Sequence, residues 1–428
     1  MVKIRLSSIS VRQLVFIFAF LFSFFVIAEN NHAQDVIPGN FYSKNNSSFY
    51  ALGVDKKSRL LYLLKVEDDI PKIEKTFNDI LVGEANGDKE IEGDKKTPEG
   101  IYYITSFIPG EKLPEVYGLG AFPLNYPNFY DKLLGKTGYG IWIHGKNQKD
   151  PGDNTTEGCV ALENSGIKQL TSLNMINTPV VISKKLKFLG RDRYFSQRAF
   201  WMSFLNDFIN AWQKNDADKF QSYLHTDFKN EQNQDYYQYI MEKKRLMELY
   251  PYRRINIDNI KVFVENDSEV VFDFNQLYCA DNIISEGRKK IYLAKEFGDY
   301  KIVAEKFFPR GSLTMTEKLA EKFINDWKVA WESEDISRYS NFYGRSFRAS
   351  GMDYNEWMKD KEEKFVRYED IDIEVSDINL VDVGPKEITV QFKQRFRGDN
   401  YSDYGVKTLI LSGCPGDFSI VSENWRAL

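Results

Sequence analysis

Cysteine and histidine are scarce in this chain, with three of each among 428 residues. An odd number of cysteines leaves at least one thiol unpaired or paired between chains. No basic excess exists either: 57 Lys and Arg stand against 62 Asp and Glu, for a net charge of −5. Such a balance gives no basic face of the kind nucleic-acid binders carry, so no nucleic-acid partner is expected. Beyond the first 28 residues no stretch is apolar enough to span a membrane, and the mature protein is expected to be soluble. A mostly disordered chain is excluded too, because hydrophobic residues make up 43% and charged residues 28%. What is abundant is aromatic: 32 Phe and 25 Tyr.

The one long apolar run is at the start. Lys3, Arg5 and Arg12 precede Leu14 to Ile27, interrupted only by Ser23, and the small residue Ala28 comes before polar Glu29-Asn30-Asn31. A basic segment, an apolar segment and a small residue in that order predict a secretory signal peptide over 1–28, with cleavage after Ala28 or Ala33. A retained signal anchor is the alternative, but a spanning helix needs about 20 apolar residues. No cysteine lies near the cleavage site for a lipid anchor. The chain is therefore expected in the periplasm or cell envelope. An exported free thiol calls for a chemical reason, and Cys159 is the candidate. Cys279 and Cys414 are expected to be small buried hydrophobes rather than a disulfide.

Residues 35–188 read as a β-rich domain. Tyr50–Val54 and Leu60–Val66 flank the polar turn Asp55-Lys56-Lys57-Ser58 as a hairpin. Ile101–Ile104, Gly140–His144 and Pro179–Ile182 are further short strands, and Asn164 to Leu173 is a short helix with Asn164 or Ser165 as its cap. Helical spacing takes over from Arg191 to Lys214 and again from Tyr236 to Leu249, and strands follow from about Ile255.

The second half repeats itself. Trp212 and Trp331 are 119 apart; after one slip, Asp235-Tyr236 and Asp353-Tyr354, Lys289 and Lys407, and Asp299–Val303 and Asp417–Val421 all keep an offset of 118. A constant offset over about 70 residues marks two copies of one α+β domain, 191–310 and 316–428. The order of helices then long strands resembles the NTF2-like fold, a curved sheet wrapped over helices. The expected architecture is thus multidomain: a β-rich catalytic domain followed by two α+β NTF2-like domains.

Chemistry concentrates in Ile141-Trp142-Ile143-His144-Gly145 and Thr155-Thr156-Glu157-Gly158-Cys159-Val160. A thiol is mostly protonated at neutral pH, and an imidazole can take its proton and return it to a leaving amine. A Cys and a His 15 apart carry little alone, and two ligands are too few for a closed zinc site. No metal or cofactor is expected; the acidic run Glu84, Asp88, Glu90, Glu92, Asp94 lacks calcium-loop spacing and reads as a solvated turn.

The surrounding pattern resembles the L,D-transpeptidase catalytic domain (YkuD) family. His144-Gly145 and Thr156-Glu157-Gly158-Cys159 match its His-Gly and Ser/Thr-x-Gly-Cys elements, and Gly93-Asp94-Lys95-Lys96-Thr97-Pro98-Glu99-Gly100-Ile101-Tyr102 its upstream element. Ala121–Asn128 with Gly135-Lys136-Thr137-Gly138 is similar to the YafK-like subgroup. The resemblance implies that Cys159 is the nucleophile and His144 the base, that the Gly145 carbonyl orients the imidazole, and that the Gly158 and Cys159 amides form the oxyanion hole. It marks Thr156, Tyr126, Asn128 and Trp142 as supporting or substrate-binding residues. Cross-linking members usually carry Arg two positions after the Cys; here that residue is Ala161. The Ala form resembles hydrolytic relatives, which include cell-shape L,D-carboxypeptidases that trim stem tetrapeptides. That implies an L,D-carboxypeptidase acting on peptidoglycan stem peptides through a Cys159 thioester. L,D-transpeptidation, release of wall-bound protein, and a non-catalytic wall-binding scaffold are the alternatives. The NTF2-like domains leave a homodimer or a wall-protein partner open.

Overall fold

The computed structural model describes residues 36–428 apart from 45–47, 148–154, 267, 268, 369 and 400. The expected signal peptide and His32 lie outside the described residues. Among the described residues no helix is long and apolar enough to cross a membrane.

Among the described residues, a five-stranded and a four-stranded sheet build the core of the N-terminal domain. The first has strand order Ile70–Phe77, Leu60–Glu67, Phe49–Asp55, Pro179–Ser183, Gly100–Tyr103. The expected hairpin is its centre, and Pro179–Ser183 inserts beside it parallel to Phe49–Asp55. The second sheet runs Val160–Leu162, Trp142–Gly145, Gly120–Pro123, Ile108–Pro109. Their inner faces meet over Leu52, Val54, Tyr102, Phe122, Ile143, Val160 and Leu162. Helix Asn164–Thr171 closes this core with Ile167 and Leu170. Its N-cap is Glu163, without a side-chain cap bond, so the expected capping by Asn164 or Ser165 is not what forms. Asn164 is used elsewhere, as described below.

Among the described residues, each C-terminal copy has three helices packed on a six-stranded sheet, one strand of the first sheet coming from the N-terminal segment. In the first copy the helices are Arg191–Gln213, Ala217–Ser222 and Tyr236–Leu249, the last started by a capping box between Asp235 and Gln238. The second copy repeats the plan with Thr314–Glu332, Ile336–Ser340 and Tyr354–Arg367. Aromatic side chains fill both interiors, Trp201, Phe208 and Phe272 in one and Trp327, Trp331 and Phe392 in the other.

The domains are joined in ways that local sequence pattern does not reveal. Phe41–Lys44, which falls within the stretch assigned to the catalytic domain, pairs antiparallel with Arg253–Val264 and completes the first copy's sheet. The outer face of the catalytic sheet shares an apolar cluster with that copy, including Ala51, Leu64, Ile101, Val181, Phe263, Val271 and Val303. Tyr103 donates to Asp273 across this joint at 2.6 Å. The two copies are tied by a disulfide between Cys279 and Cys414, which corrects the expectation of two separate thiols. Spacing gave no hint of it, because the cysteines are 135 residues apart and come together only when the copies dock. Glu286 of the first copy also accepts from the Met315 and Thr316 amides, capping the second copy's first helix.

Candidate active site

The base candidate lies on strand Trp142–Gly145, and the nucleophile candidate immediately precedes the parallel strand Val160–Leu162. Val160 pairs with Ile143, Ala161 with His144 and Leu162 with Gly145. Cys159 therefore enters the sheet level with Trp142. Because side chains alternate along a strand, Cys159, Ala161, Trp142 and His144 belong to one face. Ala161, in the place of the cross-linkers' arginine, is directly opposite His144.

His144 is buried, and its Nδ1 lies 2.8 Å from the Gly145 carbonyl. A carbonyl only accepts, so Nδ1 carries the proton and Nε2 is left as the base. Burial pulls the imidazole below its ordinary value, although the Gly145 bond opposes this. Burial pushes the Cys159 thiol up; the Trp142 backbone bond pulls it down, Glu157 raises it and Lys89 lowers it. The thiol donates to the Gly140 carbonyl at 3.4 Å. Both shifts favour the neutral forms, a thiol and an imidazole.

The cysteine loop is held from two sides. Thr156 Oγ1 donates to the Cys159 carbonyl at 2.7 Å and accepts from the Gly158 amide at 3.1 Å. Thr97, fully buried, accepts from the Gly83 amide at 2.7 Å and reaches the same Cys159 carbonyl at 3.4 Å. Gly158 has φ +134°, and a Cβ there would lie 2.9 Å from the Lys96 carbonyl oxygen. That fixes glycine at this position for conformation and space. Its amide, however, is engaged by Thr156, so the expectation that the Gly158 N–H lines an oxyanion hole is not met in this arrangement. The Cys159 amide remains as the candidate donor.

Trp142 is at the site, half-buried beside Tyr117. Tyr126 and Asn128 serve the scaffold. Tyr126 is buried and donates to the Thr137 carbonyl at 3.1 Å. Asn128 caps helix Phe129–Leu133 through a capping box with Asp131 and ties to the Ile101 carbonyl at 3.1 Å. The acidic run is no solvated turn at its end. Asp94 binds Lys89 at 2.7 Å and accepts from the Glu90 and Lys96 amides. Burial works to raise its carboxyl, but Lys89 and those amides hold it well below the usual range. This loop runs directly into Thr97. Among the described residues no cluster of three or more His, Cys, Asp or Glu side chains could hold a metal.

Two further features take their setting only from the fold. Tyr117 packs on both Trp142 and His144 with ring centroids 5.0 Å from each. A cleft of about 610 Å³ opens in the first NTF2-like copy, where Lys243 sits 4.7 Å from the Trp212 ring and 4.8 Å from the Tyr239 ring. Lys289 and Glu305 pair beside them at 2.5 Å, and burial brings Lys243 down to about 8. Lys361, Lys407 and Glu423 hold the matching positions in the second copy, where Lys407 pairs with Glu423. The offset of 118 already relates all three pairs.

Residues 50–182 match the YkuD family, described as an L,D-transpeptidase catalytic domain, and residues 201–306 and 319–424 each match the Cds6 C-terminal NTF2-like domain. Among solved structures, Bd1075 from Bdellovibrio bacteriovorus is 28% identical with a TM-score of 0.59, covering 65% of this chain and 100% of its own. The helical cell shape determining protein Pgp2 from Campylobacter jejuni is 26% identical with a TM-score of 0.54, covering 63% of this chain and 95% of its own. No curated protein sequence matches significantly.

Proposed function

We propose that this chain, which joins a YkuD-type L,D-transpeptidase catalytic domain to two Cds6 C-terminal NTF2-like domains, is an exported L,D-carboxypeptidase of peptidoglycan. The Cys159 thiol loses its proton to His144 Nε2 as sulfur attacks the L-centre carbonyl of diaminopimelate in a stem tetrapeptide. The tetrahedral oxygen gathers negative charge, which in this reading the Cys159 amide meets. His144 returns the proton to the departing nitrogen, and free D-alanine leaves behind a thioester. Water, deprotonated by the same imidazole, then adds to the thioester, and the thiol departs with a tripeptide carboxylate as product.

The observation that favours water over an amine acceptor is Ala161. It occupies the reactive face directly opposite His144, where a cross-linking member presents a guanidinium able to anchor a carboxylate. A role in cell shape is the accompanying proposal, supported by the likeness to Pgp2. The periplasm is the compartment this substrate requires. The test is incubation of the mature protein and of Cys159→Ala with disaccharide-tetrapeptide, read by mass. Tripeptide and D-alanine from the wild type alone support the reading; cross-linked dimer would make it a transpeptidase.

A further inference from the structure

The imidazole of a Cys–His pair must be held in one orientation as well as one tautomer. The Gly145 carbonyl sets the tautomer. That carbonyl belongs to the next residue of the same strand, and one hydrogen bond to Nδ1 leaves the ring plane free to tilt. A second constraint comes from outside the strand. Trp142 and His144 alternate onto the face that Cys159 shares, and the Tyr117 ring spans both of them, inclined at 48° to the first and 77° to the second. Edge-to-face packing of this kind prefers one relative orientation.

Tyr117 is presented by a deliberately tight piece of chain. It ends the turn Glu115–Tyr117, and Gly118 follows with φ +59°. A Cβ at Gly118 would lie 2.1 Å from Asn164 Oδ1 and 2.8 Å from the Lys146 carbonyl oxygen, so the turn is pressed against the end of the histidine strand. Asn164, itself buried, makes the attachment. Its Oδ1 accepts from the Leu119 amide at 2.8 Å and its Nδ2 donates to the Lys146 carbonyl at 2.9 Å. One amide side chain, two residues past the cysteine strand, thereby fastens the tyrosine turn, the histidine strand and the start of helix Asn164–Thr171 together.

We propose that Tyr117 is the positioning residue for His144, its ring walling the imidazole into the orientation that presents Nε2 to the reactive face, with Asn164 as the clamp for its turn. The phenol ring also helps to keep water from the imidazole, in line with burial being what lowers His144. The groups around Tyr117 agree with this placement: burial raises its phenol first, and Cys159 and Glu157 add to that. The catalytic consequence rests on the Cys159–His144 reading above; the effect on the imidazole does not.

The test uses the full mature chain, with wild type, Tyr117→Phe, Tyr117→Leu and Asn164→Ala. His144 titration is followed by NMR, and kcat and KM are measured on disaccharide-tetrapeptide. Tyr117→Phe keeps the ring, so its midpoint and kcat should match the wild type within about twofold. Tyr117→Leu should raise the His144 midpoint toward 6.5 and lower kcat by about tenfold or more with KM little changed. Asn164→Ala should move the midpoint the same way while leaving Tyr117 itself intact. An unmoved midpoint in Tyr117→Leu overturns the proposal, as does a loss carried wholly by KM, which would make Tyr117 a substrate contact. If the midpoint moves but even the wild type forms no tripeptide, the positioning stands and the substrate assignment fails.

Discussion

At the scale of single residues, the proposed pair Cys159 and His144 passes one proton during the reaction rather than resting as an ion pair. Burial raises the thiol and lowers the imidazole, so both resting groups are neutral at pH 7. Because the base works unprotonated and its folded value is depressed, activity should rise through a midpoint below the ordinary 6.5 for histidine. Because the thiol lies above its ordinary 9.0, the plateau should extend to at least that pH. A kcat/KM profile against pH checks both limbs, and an acid midpoint above 6.5 would contradict the assignment of an imidazole shielded from water. His144→Gln should cost about 100-fold or more in kcat, the usual contribution of a positioned acid–base group, without unfolding the chain.

At the scale of elements, the loop before the cysteine strand is what places the sulfur. Gly158→Ala forces a side chain onto φ +134° and against the Lys96 carbonyl, so Cys159 must shift. A displacement of about 1 Å costs on the order of 100-fold in rate, and melting should show the fold retained. Thr97→Val leaves the half-buried Gly83 amide without its acceptor, which should lower stability by about 1 kcal/mol in a denaturant titration. The hairpin, the histidine strand and both His-Gly and Gly-Cys elements are legible in sequence because alternation and motif spacing are local. Helix Tyr236–Leu249 was legible for the same reason. Tyr117 and Asn164 were not: Tyr117 meets a residue 27 positions away, and nothing in its own neighbourhood singles it out. The Lys–Lys–Glu set was visible in the 118 offset, as three charged identities between copies. That these positions are buried, with Lys289, Lys407 and Glu423 all under 9% exposed, is the part only the fold supplies.

At the scale of the whole molecule, the three domains are packed rather than strung. The Phe41–Lys44 strand, the shared apolar cluster and the Cys279–Cys414 bond are all long-range, which is why residue spacing could not announce them. Removing the disulfide as Cys279→Ala/Cys414→Ala frees a 135-residue separation and should cost about 2–4 kcal/mol of stability, with hydrolysis of a soluble stem peptide retained. The joint between catalytic domain and first copy holds two buried carboxyls, Glu265 and Glu269. Burial lifts Glu265 to about 7 against its Ser183 hydrogen bond, with Glu99 and Asp88 raising it further and Lys187 opposing them. Burial likewise lifts Glu269 well above the carboxylate range, reinforced by Asp131 and opposed by Lys136. A carboxyl raised by folding contributes stability below its ordinary 4.5 that is lost as pH climbs through the folded value. The melting temperature should therefore fall between about pH 5 and 8, and Glu265→Gln should flatten that decline. Whether water resolves a Cys159 thioester is decided by digestion of disaccharide-tetrapeptide in ¹⁸O-water. The wild type should give free D-alanine and a tripeptide carrying ¹⁸O in its new carboxylate, and Cys159→Ala neither. Unlabelled cross-linked dimer, or equal product from both proteins, would contradict it.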